Sequence, residues 1–314
     1  MEVVRHIDAR PLSLTGSIAT IGNFDGIHIG HQALLRNIVR QAKVSGFPSV
    51  VLTFEPHPLK VLAPERAPRL ILAHKDKMQL LQAIGVDIVV VQAFDHSFAA
   101  LEADEFVRRF LIHRLKVKKI WVGRDLRFGR GRKGGVETLV RWGAENDFSV
   151  EIVEPILLDG QRVSSSRIRH LIEEGRLDEV QPLLGRFHFL SGRVVRGNRR
   201  GRELGFPTAN IASRTEVLPQ DGIYATWLEY REKRVPSVSS VGVNPTFGDG
   251  PRTVESFILD FDGDLYGEPV KLFFVRKIRD EKKFPSAELL VEQIRHDVEC
   301  AQAIFDDLRN AGNQ

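Results

Sequence analysis

The chain has 314 residues, with 45 Lys and Arg against 41 Asp and Glu, a formal net charge of +4, and 42% hydrophobic residues. That length exceeds what one hydrophobic core usually serves and suits two domains, and the composition is that of an ordinary globular protein. No apolar run is long enough to span a bilayer, the first residues lack a signal peptide's basic start and apolar core, and Cys300 is the only cysteine. An intrachain disulfide and thiolate zinc sites are therefore excluded, no membrane partner is expected, and the cytoplasm is the expected compartment.

In chain order, strands are predicted at Ser17–Ile21, Ser49–Phe54, Asp87–Val91, Lys119–Val122 and Phe148–Val153. Helices are predicted at His31–Ser45, Lys75–Ile84, Ala103–Leu115 and Val136–Asn146. This β-α rhythm implies a parallel sheet covered by helices, with ligands beyond the carboxyl ends of its strands. A helix then opens at Ser164 or Ser165 as N-cap and ends at Gly175, and Leu177–Leu184 forms a further short one. After Gly185 the pattern changes to β-rich runs broken by Gly, Pro, Asn and Asp: Phe187–Val195, Gly222–Tyr230, Val235–Val243, Val254–Phe261 and Val270–Val275. Such runs indicate a small antiparallel barrel or sandwich, closed by a terminal helix from Ser286 to about Leu308. The domain boundary is expected near Leu184–Arg186, giving domains of residues 1–185 and 186–314.

The richest ten residues are Gly22-Asn23-Phe24-Asp25-Gly26-Ile27-His28-Ile29-Gly30-His31. Two histidines three apart fall at a strand-to-helix turn, where free amides and a partial positive charge suit an anion such as a triphosphate. A divalent ion held by Asp25, His28, His31 and His57 is the competing reading. Thr53-Phe54-Glu55-Pro56-His57-Pro58 ends the second strand in a turn stiffened by two prolines. The segment from Gly123 to Gly129 supplies Asp125 and Phe128, which suit a planar ring, and otherwise reads as a basic loop. At Ser164–Arg169 a second helix start presents hydroxyls and guanidinium groups; ordinary capping is its structural reading.

In the second half, Arg196, Arg199, Arg200 and Arg202 alternate with Gly197, Gly201 and Gly205 ahead of Phe206-Pro207-Thr208-Ala209-Asn210. Glycine-rich backbone wraps phosphates, and the Thr208 hydroxyl and Asn210 carbonyl are hard oxygen ligands suited to Mg²⁺. Alternation puts Glu255 on the same strand face as Phe257, Leu259 and Phe261, the more apolar face. A carboxylate there is either at a barrel mouth or a general base for a hydroxyl nucleophile.

His28-Ile29-Gly30-His31 resembles the "HIGH" signature of class I nucleotidyl-transferring folds. Taken together, the motifs resemble those of the prokaryotic bifunctional riboflavin kinase/FAD synthetase family over nearly the whole chain. The first-half segments named above occur in family order. They are followed by Gly192–Asn210, Asp221–Ala225, Gly242–Gly248 and Asp264–Gly267. The resemblance implies a Rossmann-like parallel α/β nucleotidyltransferase domain followed by a β-barrel kinase domain. It also implies two reactions. Riboflavin's ribityl hydroxyl attacks the γ-phosphate of ATP to give FMN. FMN's phosphate then attacks the α-phosphate of a second ATP, giving FAD and pyrophosphate.

On this resemblance Glu255 is the kinase base, Thr208 and Asn210 hold Mg²⁺ and nucleotide, and Gly197, Gly201 and Arg202 lie by the ATP phosphates. Arg279 and Phe284 fall in a segment that closes over flavin. In the first half Gly22, Asn23, Phe24, His28, His31, Ser164 and Arg169 map to the ATP site, with the two histidines as its catalytic pair; His57, Asp125 and Phe128 fall where flavin approaches. Phe257 stands where the family often has His, and Leu126-Arg127 where it often has Phe and an uncharged residue. The expected partners are riboflavin, FMN, FAD and ATP, without nucleic acid, in a monomer or weak homo-oligomer. Two other readings compete: one active half beside a flavin-binding or assembly module, and an RNA-binding relative of class I synthetases. The latter predicts a KMSKS-type loop and an anticodon-binding region, neither of which is found, and it leaves Pro207–Asn210 unexplained.

Overall fold

A computed structural model describes residues 1–7, 12–197, 200–243 and 252–312. The chain divides into two compact units, one of residues Met1–Arg69 and His74–Ser164, the other of Leu70–Ala73 and Ser165–Gln314. This division falls about twenty residues before the boundary expected at 185/186, because the two helices preceding the barrel pack with it. Each unit is described by itself.

In the first unit the strands are β1 (Glu2–Arg5), β2 (Ser17–Ile21), β3 (Ser49–Glu55), β4 (Ile88–Ala93), β5 (Val117–Gly123) and β6 (Ser149–Val153). They form one sheet in the order β1-β4-β3-β2-β5-β6, every pairing parallel. The central strand β2 is buried at all five positions, which is why it reads as an unbroken apolar run rather than an alternating one. The helices are α1 (Ile29–Ser45), α2 (Pro58–Leu62), α3 (His74–Ile84), α4 (His96–Ala99), α5 (Ala103–Phe106) and α6 (Val136–Glu145). A hairpin of β7 (Leu157–Leu158) and β8 (Gln161–Arg162) follows the sheet. The helix expected over Ala103–Leu115 is α-helical only to Phe106 and continues as a π-helix from Val107 to Arg114. β1 escaped the sequence reading: four residues with a single buried side chain carry almost no periodic signal.

In the second unit α7 (Ser165–Glu173) and α8 (Leu177–Leu184) precede six strands: β9 (His188–Val195), β10 (Thr208–Ser213), β11 (Gly222–Tyr230), β12 (Lys233–Gly242), β13 (Thr253–Ile258) and β14 (Pro269–Arg279). They close into a barrel in the order β10-β13-β12-β11-β14-β9, so the open alternative of barrel or sandwich resolves to the barrel. A short helix α9 (Arg200–Glu203) lies between β9 and β10, and α10 (Ala287–Gly312) ends the chain. Inward residues such as Val194, Ile211, Tyr224, Leu228, Val254, Ile258 and Leu272 fill the barrel. A buried hydroxyl chain crosses it: Thr226 Oγ1 lies 2.8 Å from Ser237 Oγ and 2.7 Å from Ser239 Oγ, which donates to Ser256 Oγ at 2.9 Å. Outside, Trp227 and Phe257 pack with Ala301 and Phe305 of α10. The segment Leu70–Ala73 joins this unit through Leu70, whose amide donates to Glu216 Oε2 at 2.9 Å and whose carbonyl accepts from Val217 N at 3.2 Å.

Candidate active sites

The first site forms at the carboxyl end of β2. His28 caps α1, its Nδ1 accepting the His31 amide hydrogen at 3.2 Å, so the helix begins two residues earlier than periodicity indicates. An imidazole replaces the usual Ser, Thr or Asp cap, which hides the boundary from sequence rules. The His28 and His31 rings stack with centroids 3.6 Å apart, and Phe24 meets His31 edge-on at 5.2 Å. A Cβ at Gly30 would stand 3.1 Å from the folded-back His28 ring, so glycine permits this stack. The turn is strained: Phe24 and Ile27 have φ of 50° and 40°, conformations that cost a bulky L-residue roughly 1–2 kcal/mol each. Both side chains are buried anchors that hold the turn in that shape.

Burial, then the neighbouring His28 and Lys77, hold the His31 pKa well below the usual imidazole value, so His31 is neutral at physiological pH. Its buried Nδ1 has no hydrogen-bond partner among the described residues. With Nδ1 accepting from a backbone amide, neutral His28 carries its proton on Nε2. The turn thus pairs two neutral imidazoles with a helix N-terminus, an arrangement that receives anionic oxygen through hydrogen bonds. Asn23 and His57 belong to the same constellation, the Asn23 amide nitrogen lying 3.0 Å from His57 Nε2 while His57 Nδ1 caps α2 by accepting from Leu59 N. Among the described residues no group of three or more His, Cys, Asp or Glu is arranged to hold a metal ion, so Asp25, His28, His31 and His57 do not assemble as one.

In the loop after β5, Asp125 accepts from Arg162 of β8 at 2.7 Å, and that hydrogen bond is the main cause of its lowered pKa. Phe128 forms a bridge with Gly134 and packs on Phe106 at 5.3 Å, at the rim of the sheet's core. Ser164 ends the first unit and Arg169 lies half-buried on α7, in the second.

The second site lies on the outer wall of the barrel. Thr208 and Asn210 alternate on β10 with inward Ala209 between them. Glu255 of β13 stands directly across from Asn210 and, on its other side, from Ser240. Thr208 Oγ1 donates to Glu255 Oε2 at 3.1 Å. A Cβ on Gly197 would lie 2.4 Å from Asn210 Nδ2, and one on Gly201 3.3 Å from Thr208 Oγ1, so these two glycines pack close against Asn210 and Thr208. Arg202 is exposed on α9. The sequence reading put Glu255 on the strand's apolar face; the structure reverses this. β13 ends at Ile258, its inward residues are Val254, Ser256 and Ile258, and Glu255 and Phe257 face outward. Phe257 meets Phe206 edge-on at 5.2 Å. The Asn244–Gly248 part of the motif, and Asn198 and Arg199, lie outside the described residues.

Three hard oxygen donors on one patch, with no sulfur or imidazole among them, fit a magnesium ion whose other ligands are phosphate and water. On β14, Arg279 is held by Asp297 of α10 through two bonds of 2.8 Å and lies 5.7 Å from the Phe284 ring centroid. Phe284, with Leu289, Gln293 and His296, lines a groove of about 500 Å³. Asp297 was not singled out from sequence; on a helix read as a plain terminal element, one more acid carries no signal.

A parallel α/β unit with a two-histidine helix start and a barrel with a Thr-Asn-Glu trio define a two-module nucleotide-transfer enzyme. Comparison with known proteins makes this specific. Residues 11–167 match the FAD synthetase family model and residues 184–305 the riboflavin kinase model. The chain is 38% identical to the bifunctional riboflavin kinase/FMN adenylyltransferase of Escherichia coli K12, over 92% of this chain and 93% of that one. Identity to the enzyme of the same name from Pseudomonas fluorescens is 39%, over 97% and 98%. The chain belongs to the bifunctional riboflavin kinase/FMN adenylyltransferase family. A solved structure described as a macrolide-efflux protein from Streptococcus pneumoniae superposes with a TM-score of 0.86 at 34% identity, over 96% of this chain and 99% of that one. Among the described residues here, no helix is long and apolar enough to cross a membrane.

Proposed function

We propose that the barrel half phosphorylates riboflavin and the α/β half adenylylates the FMN so formed, each at the site described above. The pairing of both family models in one chain, each spanning one of these sites, carries the reading. In the barrel, Glu255 accepts the proton of the ribityl hydroxyl as that oxygen attacks the γ-phosphorus of ATP and ADP leaves. The Thr208 hydrogen bond orients the carboxylate, and the loop at Gly197 and Gly201 brings backbone amides to the phosphates. Thr208 and Asn210 would hold Mg²⁺, which supplies charge neutralisation on the transferred phosphoryl group. The groove beside Phe284 seats the flavin ring, and Arg279 acts there through its hold on that segment.

In the α/β half the amides at the start of α1, with His28 and His31, hold the ATP phosphates while an FMN phosphate oxygen attacks the α-phosphorus and pyrophosphate leaves. Positioning and electrostatic stabilisation supply the catalysis, which is why neither site needs a protein nucleophile. Protein incubated with riboflavin, ATP and Mg²⁺ should yield FMN and then FAD on separation of the flavins over time. Glu255→Gln should abolish FMN formation yet still convert supplied FMN to FAD, and His28→Ala with His31→Ala should do the reverse. FMN as the sole product would end the claim for the first half, and no conversion would end both.

A further inference from the structure

Beneath the turn after β2 lies a lysine that the phosphate-binding features do not account for. Lys77 sits on α3 one helical turn before buried Leu81, an i, i+4 relation that aims both side chains at the sheet. Its Nζ donates to the Asn23 carbonyl at 3.2 Å and lies 3.4 Å from Thr53 Oγ1, a fully buried hydroxyl on β3. The ammonium therefore bridges the turn leaving β2 to the end of β3, the two strand ends that frame the histidine pair. Burial lowers the Lys77 pKa, Asp25 of the turn and Glu55 of β3 act against that lowering, and Glu55 is shared with Arg5 of β1 at 3.2 Å and His74 of α3 at 3.1 Å. On the other side stand His31 and, stacked on it, His28.

Burying an ammonium is costly, and an apolar side chain of similar length serves packing at least as well. We propose that Lys77 is a positioning residue for adenylyl transfer, tying the Gly22–Asn23 turn to β3 and placing a positive charge beside His31. This rests on the reading of the first half as the adenylyltransferase. The charge has two effects on a triphosphate site. It lends positive potential to the turn, and it adds to burial and His28 in opposing a second cation on His31, favouring the neutral imidazole as a hydrogen-bonding group.

The test uses the full-length chain as Lys77→Met and Lys77→Arg, assayed separately for FMN and FAD formation across the pH range in which histidine titrates. Lys77→Met should slow FAD formation about 100-fold, the scale of losing one preorganised electrostatic contact, with FMN formation unchanged. Its acid limb should move to higher pH, and the His31 imidazole, followed by NMR, should titrate at higher pH than in the wild type. Lys77→Arg should keep both titrations near wild type and recover part of the rate. Unchanged FAD formation in Lys77→Met, an unmoved His31 titration, or equal loss of both activities would each overturn the proposal. Absence of FAD formation in the wild type would instead remove the adenylyltransferase reading, and the His31 titration still reports whether Lys77 sets that charge.

Discussion

Asp297→Asn offers a quantitative probe of how the barrel half is held around its proposed flavin groove. The Asp297 side chain is 3% exposed and that of Arg279 18%, and the two share bonds of 2.8 Å from Nε and Nη2. Gln293 Nε2 adds a third bond to the same carboxylate at 2.9 Å. Asparagine keeps the shape and one acceptor oxygen, so the guanidinium retains one of its two bonds to position 297 together with the Asp280 carbonyl at 2.9 Å and the Phe284 ring. Removing one partner of a buried pair costs about 3–5 kcal/mol; the retained acceptor and the partial exposure of Arg279 reduce that to about 2–3 kcal/mol. At about 1.4 kcal/mol per factor of ten, local opening of α10 should rise roughly 30- to 150-fold. Native-state hydrogen exchange of α10 amides is the appropriate measurement, because a chain of two compact units does not guarantee one two-state transition. Amides of β2 and β3 should be unaffected, and the KM for riboflavin should rise as Phe284 loses its backing. Exchange in α10 within about threefold of wild type, less than about 0.7 kcal/mol, would refute the reasoning.

Two further outcomes follow from particular contacts. His188 is fully enclosed, stacked on Phe274, and burial with nearby Arg186 drives its pKa down to about 3, the Val217 backbone opposing weakly. The unfolded chain takes up that proton near pH 6.5 and the folded one near 3, so barrel stability should fall with decreasing pH through this window, by up to about 1.4 kcal/mol per unit. Chemical denaturation at several pH values should show a flatter dependence in His188→Gln; an identical dependence would mean other groups govern it. Gly197→Ala places a Cβ 2.4 Å from Asn210 Nδ2, so the amide must move off its position across from Glu255. Initial rates of FMN formation should drop about tenfold with FAD formation from supplied FMN intact, and a wild-type FMN rate would show that Asn210 has room to yield.

Legibility varied with the range of the interaction. Ser17–Ile21 and Gly222–Tyr230 are strands with the bounds their sequence pattern indicates, because a short, largely apolar run bounded by turn residues is written into neighbouring residues. β10 was read as a ligand motif rather than as a strand, since Thr208-Ala209-Asn210 owes its extended form to pairing with β9 and β13. Lys77 carried a local signal, its spacing from Leu81, but helix faces contain many lysines, and only Asn23 and Thr53 from two other elements give it meaning. The contacts of Phe128 with Phe106 and of Asp125 with Arg162 join residues distant in sequence, so the glycine-rich loop gave no sign of them.

The residue order by itself determined the two-part architecture, the strand-turn-helix around His28 and His31, and the resemblance that implies two successive transfer reactions. Those rest on local periodicity and on short motifs whose chemistry is complete within ten residues. Tertiary structure alone decided that Glu255 faces outward to meet Thr208, that Arg279 is bound to Asp297, and that α7 and α8 pack with the barrel. Each depends on strand register or on burial shared between remote segments, and a register shift of one residue would reverse every face without altering a letter of the pattern.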